Sequence, residues 1–281
     1  MLKKIIVLVL LIIALSGPTV WQNEFDKNLK VIFLNVGQGD AILIKTPDKK
    51  HILIDGGPDN KVIYGLGKNI PFYRQKIDLM ILTHSDLDHL TGLIEVLKRY
   101  QVKSILYNGL EDDSPEFQEW LKIIKEKNIP LQITQAGDEM KSGEDLILKT
   151  IYPFETPAEN PENNNNTSVV NKLIYKNISF LFTGDLESEA EEKLLSQNID
   201  LKSDILKVGH HGAKKSTGKN FLRKVKPEYA VISVGKNNFG HPSLRVLKNL
   251  QEAGAAILRT DSQGEIKIST DGEKIEIFTS L

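Results

Sequence analysis

Short apolar runs separated by turn residues set the rhythm of this chain, and several are apolar at successive rather than alternate positions. Such runs predict strands buried on both faces. Lys30–Val36, Ala41–Lys45 and His51–Asp55 read as three successive strands, the first two joined by a tight turn, Gly37-Gln38-Gly39-Asp40, which predicts an antiparallel start. Asp78–Thr83 reads as a further strand. From Leu90 to Tyr100 the period changes, with leucine, isoleucine and valine at helical spacing. Ser104–Tyr107 then reads as strand, and an amphipathic helix runs from Pro115, a favourable first helical residue, to near Lys127.

A loop rich in Pro, Glu and Asn, residues 157–168, separates this half from one with the same vocabulary. Strands are expected at Val169–Tyr175, Ser179–Thr183 and Ile205–Val208, with a charged helix from Glu187 to near Asn198. Tyr229–Val234, Ala256–Arg259, Glu265–Ser269 and Lys274–Phe278 complete the set. No repeat of solenoid type is visible. Two sheet-containing halves predict a sandwich of sheets with helices outside, while composition alone leaves two separate small domains open.

The first twenty residues follow different rules. Two lysines precede an uncharged apolar run from Ile5 to Leu15, and Ala14 and Ser16 form a small-x-small pattern before Gly17-Pro18. The run is shorter than the ~20 residues of a full span, so residues 1–20 are expected to be a signal peptide. The alternative is an uncleaved membrane anchor with Trp21 at the interface. Either reading makes 25–281 an extracytoplasmic domain, secreted or anchored, whose N-terminus contacts the membrane at least transiently.

Composition narrows the chemistry. With 281 residues, 40% of them hydrophobic, the chain can bury a sizeable core. Its net charge of −1 gives no global positive field, so any nucleic-acid contact needs a local basic patch. The absence of cysteine excludes disulfides and thiolate metal sites. A metal would be held by His, Asp, Glu, Asn or water.

Those residues cluster. His84, Asp86, Asp88 and His89 follow one predicted strand, Asp185 another, and His210 and His211 a third. Strand ends on one edge of a sheet converge, so residues remote in sequence meet there. Taken singly, each has a plainer explanation: Asp185 suits a turn or an N-cap, one histidine at a strand end is usually structural, His241 could brace its loop, and His51 has no partner pattern. Jointly, four of the six histidines fall at two strand ends beside carboxylates, which points to a metal site.

The segments "VIFLNVGQGDAILI", "LIDGG", "ILTHSDLDHLTGL", "FLFTGDL", "DILKVGHHG", "VISVGKNNFGHPS" and "RTDSQGEI" resemble, in order, those of the metallo-β-lactamase superfamily, and more narrowly the hydrolase domain of ComEC-type DNA-uptake proteins. The resemblance covers about residues 30–270 and implies an α/β fold, the four-layer αββα sandwich, with a metal centre on one edge between the sheets. By that resemblance His84 and Asp86 are ligands of one metal position, Asp88 and His89 of the other, and Asp185 bridges both. His211 completes the second position with His210 beside it as a substrate or hydroxide contact, and the two are exchangeable at this stage. Asp55 resembles an acidic motif that orders the ligand loop. The superfamily's separate histidine between His89 and Asp185 is missing, so Asn165, Asn166 and Ser168 stand as candidates there.

Where many relatives have a second histidine, this chain has Asp86. An oxygen-rich first position leans towards Mn²⁺ or Mg²⁺, while affinity order favours Zn²⁺. Two divalent ions, Zn or Mn, are therefore the expected cofactors. The family's usual serine after "HHG" is Ala213, and Lys214 is a candidate phosphate contact. The expected activity is an exported phosphodiesterase or nuclease acting on DNA through a metal-bridging hydroxide. In it Asp88 orients the hydroxide, and His210 or His241 stabilises the leaving oxygen or the phosphate, His241 also touching substrate. Alternatives are a small phosphodiester of phosphorylcholine type, a lactone or another ester, and a non-catalytic binding module. A separate membrane DNA-uptake channel is the partner the resemblance suggests.

Overall fold

The computed structural model describes residues 27–159 and 161–281, so the expected signal or anchor at 1–20 lies outside the described residues. An eight-stranded sheet has the spatial order β17 (Ile275–Thr279), β16 (Ile266–Thr270), β1 (Leu29–Phe33), β2 (Ile42–Lys45), β3 (His51–Ile54), β5 (Leu79–Ile81), β7 (Ile105–Tyr107), β8 (Leu131–Ile133). A seven-stranded sheet follows the order β15 (Ala256–Arg259), β14 (Tyr229–Ile232), β13 (Ile205–Lys207), β12 (Ile178–Phe182), β11 (Val170–Tyr175), β10 (Leu146–Tyr152), β9 (Glu139–Ser142). The short strands β4 (Lys76–Ile77) and β6 (Gln101–Val102) pair with each other. As expected, β1, β2 and β3 are antiparallel; β3, β5, β7 and β8 are parallel, as are β12 to β15.

The two-residue period of each strand sorts its side chains between layers. Leu29, Val31 and Phe33 of β1, Ile42 and Ile44 of β2, and Ile52 and Ile54 of β3 face the second sheet, where they meet Phe180 and Phe182 of β12, Ile205 of β13 and Val231 of β14. Ile32, Leu43, Leu53 and Met80 face outward and are covered by α1 (Lys61–Asn69), α2 (Leu87–Arg99) and α3 (Pro115–Glu126) through Val62, Leu66, Leu93, Leu97, Phe117 and Trp120. The outer face of the second sheet, with Leu181, Leu206 and Ala230, packs under α4 (Ser188–Ser196), α5 (Lys219–Val225) and α6 (Leu244–Glu252). One further turn, α7, spans Thr260–Gln263. Each fully buried large apolar side chain contributes about 1.5–3 kcal/mol, which explains why strands flanked by helices on one side and a sheet on the other are apolar throughout. The result is the four-layer αββα sandwich with a core between the sheets.

Several boundaries differ from expectation, and two differences matter for the site. The connection after β1 is no tight turn: the strand ends at Phe33, the Leu34 N–H donates to the Ala41 carbonyl, and residues 35–40 form a loop against α2. The helix expected from Leu90 begins at Leu87, so Asp88 and His89 lie in its first turn. That turn is pressed against the loop after β3, where the Gly56 N–H donates to the His89 carbonyl at 2.7 Å, and in the next turn a Cβ at Gly92 would stand 1.9 Å from the Gly56 carbonyl oxygen. Only a glycine permits this approach.

Candidate metal centre

The groups expected to meet do so at one edge between the two sheets. Asp185 follows β12, and its Oδ2 lies 3.3 Å from His89 Nε2, 3.1 Å from His211 Nε2 and 3.8 Å from His210 Nε2. Asp88 Oδ2 is 3.1 Å from His211 Nε2. Asp88, His89, Asp185 and His211 offer ligand atoms that all lie within 4.8 Å of one another. Asp40, Asp55 and His89 form an overlapping group. His84 stands beside them, its ring centroid 4.2 Å from that of His89 and its Nε2 3.5 Å from Asp86 Oδ2. Asp86 occupies the N-cap position of α2, and its other oxygen accepts from the Asn164 amide.

Each ligand-type imidazole is held from behind. His89 Nδ1 meets Asp55 Oδ2 at 2.8 Å, and Asp55 also accepts from the Thr83 N–H and hydroxyl, both at 2.8 Å. His211 Nδ1 meets the Ser233 carbonyl at 2.8 Å. With Nδ1 so engaged, each ring directs Nε2 into the cluster, an arrangement characteristic of metal-binding histidines. His210 and His211 adopt φ of 45° and 50°, so two successive non-glycine residues take the left-handed region, and their rings stand edge to face with centroids 5.9 Å apart, both turning Nε2 towards Asp185. His211 is buried, whereas His210 stands at the mouth with Nδ1 3.0 Å from Glu187 Oε1. The structure thus separates two residues that the sequence left exchangeable.

Three groups the sequence reading missed complete the floor. Lys207 on β13 is fully buried; its ammonium pairs with Asp40, lies 3.3 Å from Asp185 Oδ1 and donates to the Gly184 carbonyl at 2.7 Å. Asp40 belongs to the loop after β1, and Ser233 follows β14. Burial alone would depress the Lys207 ammonium, but Asp40 and Asp185 hold it above its ordinary value. Burial opposes ionisation of Asp185 too, and is outweighed by His211, His89 and Lys207, which keep its carboxyl well below the usual range. The same contest holds His89 well above an ordinary imidazole, through Asp185 and Asp55, and raises His211 to about 10 through Asp185 and Asp88.

The other candidates divide. Ser168 Oγ lies 3.4 Å from His84 Nδ1 and accepts the Asp185 N–H at 3.0 Å, which ties the two ligand loops together. Asn165 Nδ2 reaches His210 Nδ1 at 3.5 Å. Asn166 is not brought to the groove: its amide accepts the Glu187 N–H and reaches Glu189, bracing the loop from behind. His241 is at the mouth, its ring centroid 5.2 Å from that of His210, with a buried Nδ1 that has no hydrogen-bond partner among the described residues. Lys214, three residues after His211, is exposed. His51, read as structural, donates from Nδ1 to the Lys76 carbonyl, far from the cluster.

Whether these groups fit a cation is answered by their unsatisfied atoms. His84 Nε2 and His89 Nε2 are buried without a hydrogen-bond partner, an arrangement that costs stability unless something else occupies the space. Three imidazoles and three carboxylates with free donor atoms, and no thiolate, suit divalent ions of intermediate to hard character. Comparison with known sequences agrees: the profile described as "Metallo-beta-lactamase superfamily" matches residues 34–236.

The chain belongs to the metallo-beta-lactamase superfamily.

Membership of that superfamily makes it, as a class, a metal-dependent hydrolase. It is 33% identical over 256 residues to ComE operon protein 3 of Bacillus subtilis, a match covering 85% of this chain and 32% of that protein. Competence protein ComA of Neisseria gonorrhoeae is 30% identical over 245 residues, covering 86% of this chain and 32% of its own length. The chain thus spans about a third of the length of these relatives. Among solved structures, the metallo-beta-lactamase fold protein YhfI from Bacillus subtilis superposes with a TM-score of 0.58 at 10% identity, over 85% of this chain and 99% of that one, which speaks for the fold alone.

Proposed function

We propose that the chain is a phosphodiesterase dependent on two divalent cations and that its substrate is DNA. The observation that carries this reading is the position of Asp185: one carboxylate oxygen faces His89, His210 and His211, while the other is neutralised from below by Lys207. His89, His211, Asp88 and Asp185 would hold one ion, and His84, Asp86 and the shared Asp185 the other. When bound, such ions acidify water to give a nucleophile near neutral pH and offset the charge that builds on a phosphoryl oxygen.

The chain's own residues do the rest. Asp55 and the Ser233 carbonyl fix the rings of His89 and His211, so no reorientation is needed when substrate arrives. Asp88, at the first turn of α2 and accepting from His211 Nε2, is placed to orient the attacking water. His210, anchored by Glu187, and His241 beside it stand where a phosphate or a leaving oxygen would enter. Phe239, 75% exposed, packs beside the His241 ring with centroids 5.7 Å apart, and exposed Lys214, Lys215 and Lys236 lie within five residues of His211 or His241 along the chain, which suits a substrate with both negative charge and planar bases. The relative named as a competence protein, ComA, favours nucleic acid over other phosphodiesters. Export of this activity across the membrane belongs to the same reading and is supported by the sequence of residues 1–20.

The test uses the full chain in detergent with supercoiled DNA, bis-p-nitrophenyl phosphate and a simple lactone, each with Mn²⁺, Zn²⁺ or chelator. The reading predicts metal-dependent nicking of DNA that is lost in Asp185→Asn. Turnover of the small diester or lactone without DNA cleavage would replace the substrate, and no turnover by metal-loaded protein would make this a binding module.

A further inference from the structure

The end of the molecule remote from the metal centre carries a basic and aromatic face. β3 connects the two ends: Asp55, just beyond it, supports His89, whereas His51 at its start lines a hollow of about 210 Å³. Lys30, Lys45, Lys49, Lys68 and Arg74 share that lining. At its lip Pro71 leads into a single turn in which Phe72 is 85% and Tyr73 64% exposed, stacked edge to face with centroids 5.4 Å apart. Tyr64, 71% exposed on α1, lies under the Lys68 ammonium at 4.3 Å. A pair of stacked aromatic side chains in water, with a third exposed on the adjoining helix, is unfavourable unless something covers it.

The chain itself indicates what does. Asn28 lines the same hollow, so the polypeptide enters the described part of the fold at this face. Upstream lies the uncharged apolar run Ile5–Leu15. The stretch from Leu15 to Asn28 spans roughly 45 Å even when fully extended, so a bilayer that holds the run is never far from the face. A tether of that length gives an effective concentration of order millimolar, at which a weak surface stays docked. Tyrosine and phenylalanine at headgroup level and lysines beside anionic lipid are the chemistry of such a surface. Nucleic acid would suit the charges, but a strand bound here would lie at the wrong end of β3 to present its phosphates to Asp185.

We propose that this face rests on an anionic lipid surface, with Phe72 and Tyr73 among the headgroups, Lys49 and Lys68 against lipid phosphates, and the metal centre turned away from the bilayer. The proposal rests on the anchor reading of residues 1–20, in which residues 5–15 stay in the bilayer, and is independent of the hydrolase reading.

Because the chain has no cysteine, single labels report the face directly. Full-length Gln75→Cys, at an exposed position beside Tyr73, and Leu244→Cys, 85% exposed on α6 near the metal edge, are labelled with an environment-sensitive fluorophore and reconstituted into vesicles. With phosphatidylglycerol present, the label at 75 shifts to the blue and is quenched by lipids spin-labelled near the headgroup, while the label at 244 keeps its aqueous emission. Lys49→Gln/Lys68→Gln lowers the ratio of docked to free faces roughly 30-fold, and Phe72→Ala/Tyr73→Ala also returns the label at 75 to water, although the chain still sediments with the vesicles. Aqueous emission at 75 on vesicles that carry the wild-type face overturns the proposal, as does failure of the full chain to bind vesicles. A blue shift caused by a single-stranded oligonucleotide without lipid overturns it in favour of nucleic acid. DNA cleavage by the same labelled proteins is recorded in parallel, so failure here and failure of the hydrolase reading are told apart.

Discussion

Lys207 lies on β13 two residues after Ile205, and the strand's period therefore turns its ammonium inward, between the sheets. There it meets Asp40 and Asp185, both buried. Removing one partner of such a pair strands the other, so Lys207→Met is expected to cost about 3–5 kcal/mol in chemical denaturation. Replacing both, as Lys207→Met/Asp40→Leu, should cost much less in the same assay. A second expectation concerns protons. In the metal-free protein the contacts of His89 and His211 with Asp185 stabilise the fold fully below pH 6.5, and the His211 share is lost as pH rises through about 10. Both rings are thus biased towards the protonated form, and a bound cation would compete with those protons. Calorimetric titration of Mn²⁺ in two buffers of different ionisation enthalpy should show release of a proton from each ring; identical heats would contradict it. Among the residues, the His and Asp pairs were legible in the sequence because they break abruptly from apolar strands. Lys207 and Asp40 were not, because a lysine near a strand end and an aspartate after glycine ordinarily read as surface groups. The signal available was parity: Lys207 shares the inward face of Ile205.

Elements around the centre are bound together by a few polar clasps. Glu191 of α4 is buried and accepts the N–H groups of Thr217 and Gly218, which lead from the His210-His211 turn into α5. Burial raises its carboxyl from 4.5 to about 7 against the pull of those two N–H groups. A carboxyl raised on folding favours the fold below its unfolded value, and that advantage disappears as pH climbs through the folded value. Between pH 4.5 and about 7 the fold should therefore lose up to roughly 3 kcal/mol from this group, and Glu191→Gln should flatten the dependence of Tm on pH in that window. An unchanged slope would contradict the assignment. Fully buried strands were the most legible elements, since few positions in them are polar. The helix α1 was not, because Gly65 and Gly67 lower its propensity; Gly65 is there because a Cβ would approach Leu34 Cδ2 to 2.9 Å. The seven-residue α5 is too short to show a period. For α6 the signal existed: Ser243 after Pro242, its hydroxyl accepting from the Val246 N–H.

At the scale of the molecule, the two sheets divide the labour. The first supplies His84, Asp86, Asp88 and His89 from the loop and helix after β5, with Asp40 and Asp55 beside them; the second supplies Asp185, Lys207, His210 and His211. Neither half contains all of the candidate ligands, so the sandwich core is also what brings them together, and a change that loosens the sheets should weaken cation binding before it unfolds either sheet. A sandwich of sheets with helices outside was legible from successive apolar runs, and its four-layer αββα form came from the family resemblance, but which strand ends share an edge is a property of topology that no single run carries. The central claim is that these remote groups surround divalent cations. Crystals of the full chain grown with Mn²⁺ test it most directly through anomalous scattering. The account predicts one peak among Asp88, His89, Asp185 and His211 and a second beside His84 and Asp86; an anomalous map with ordered side chains there and no peak near Asp185 Oδ2 would contradict it.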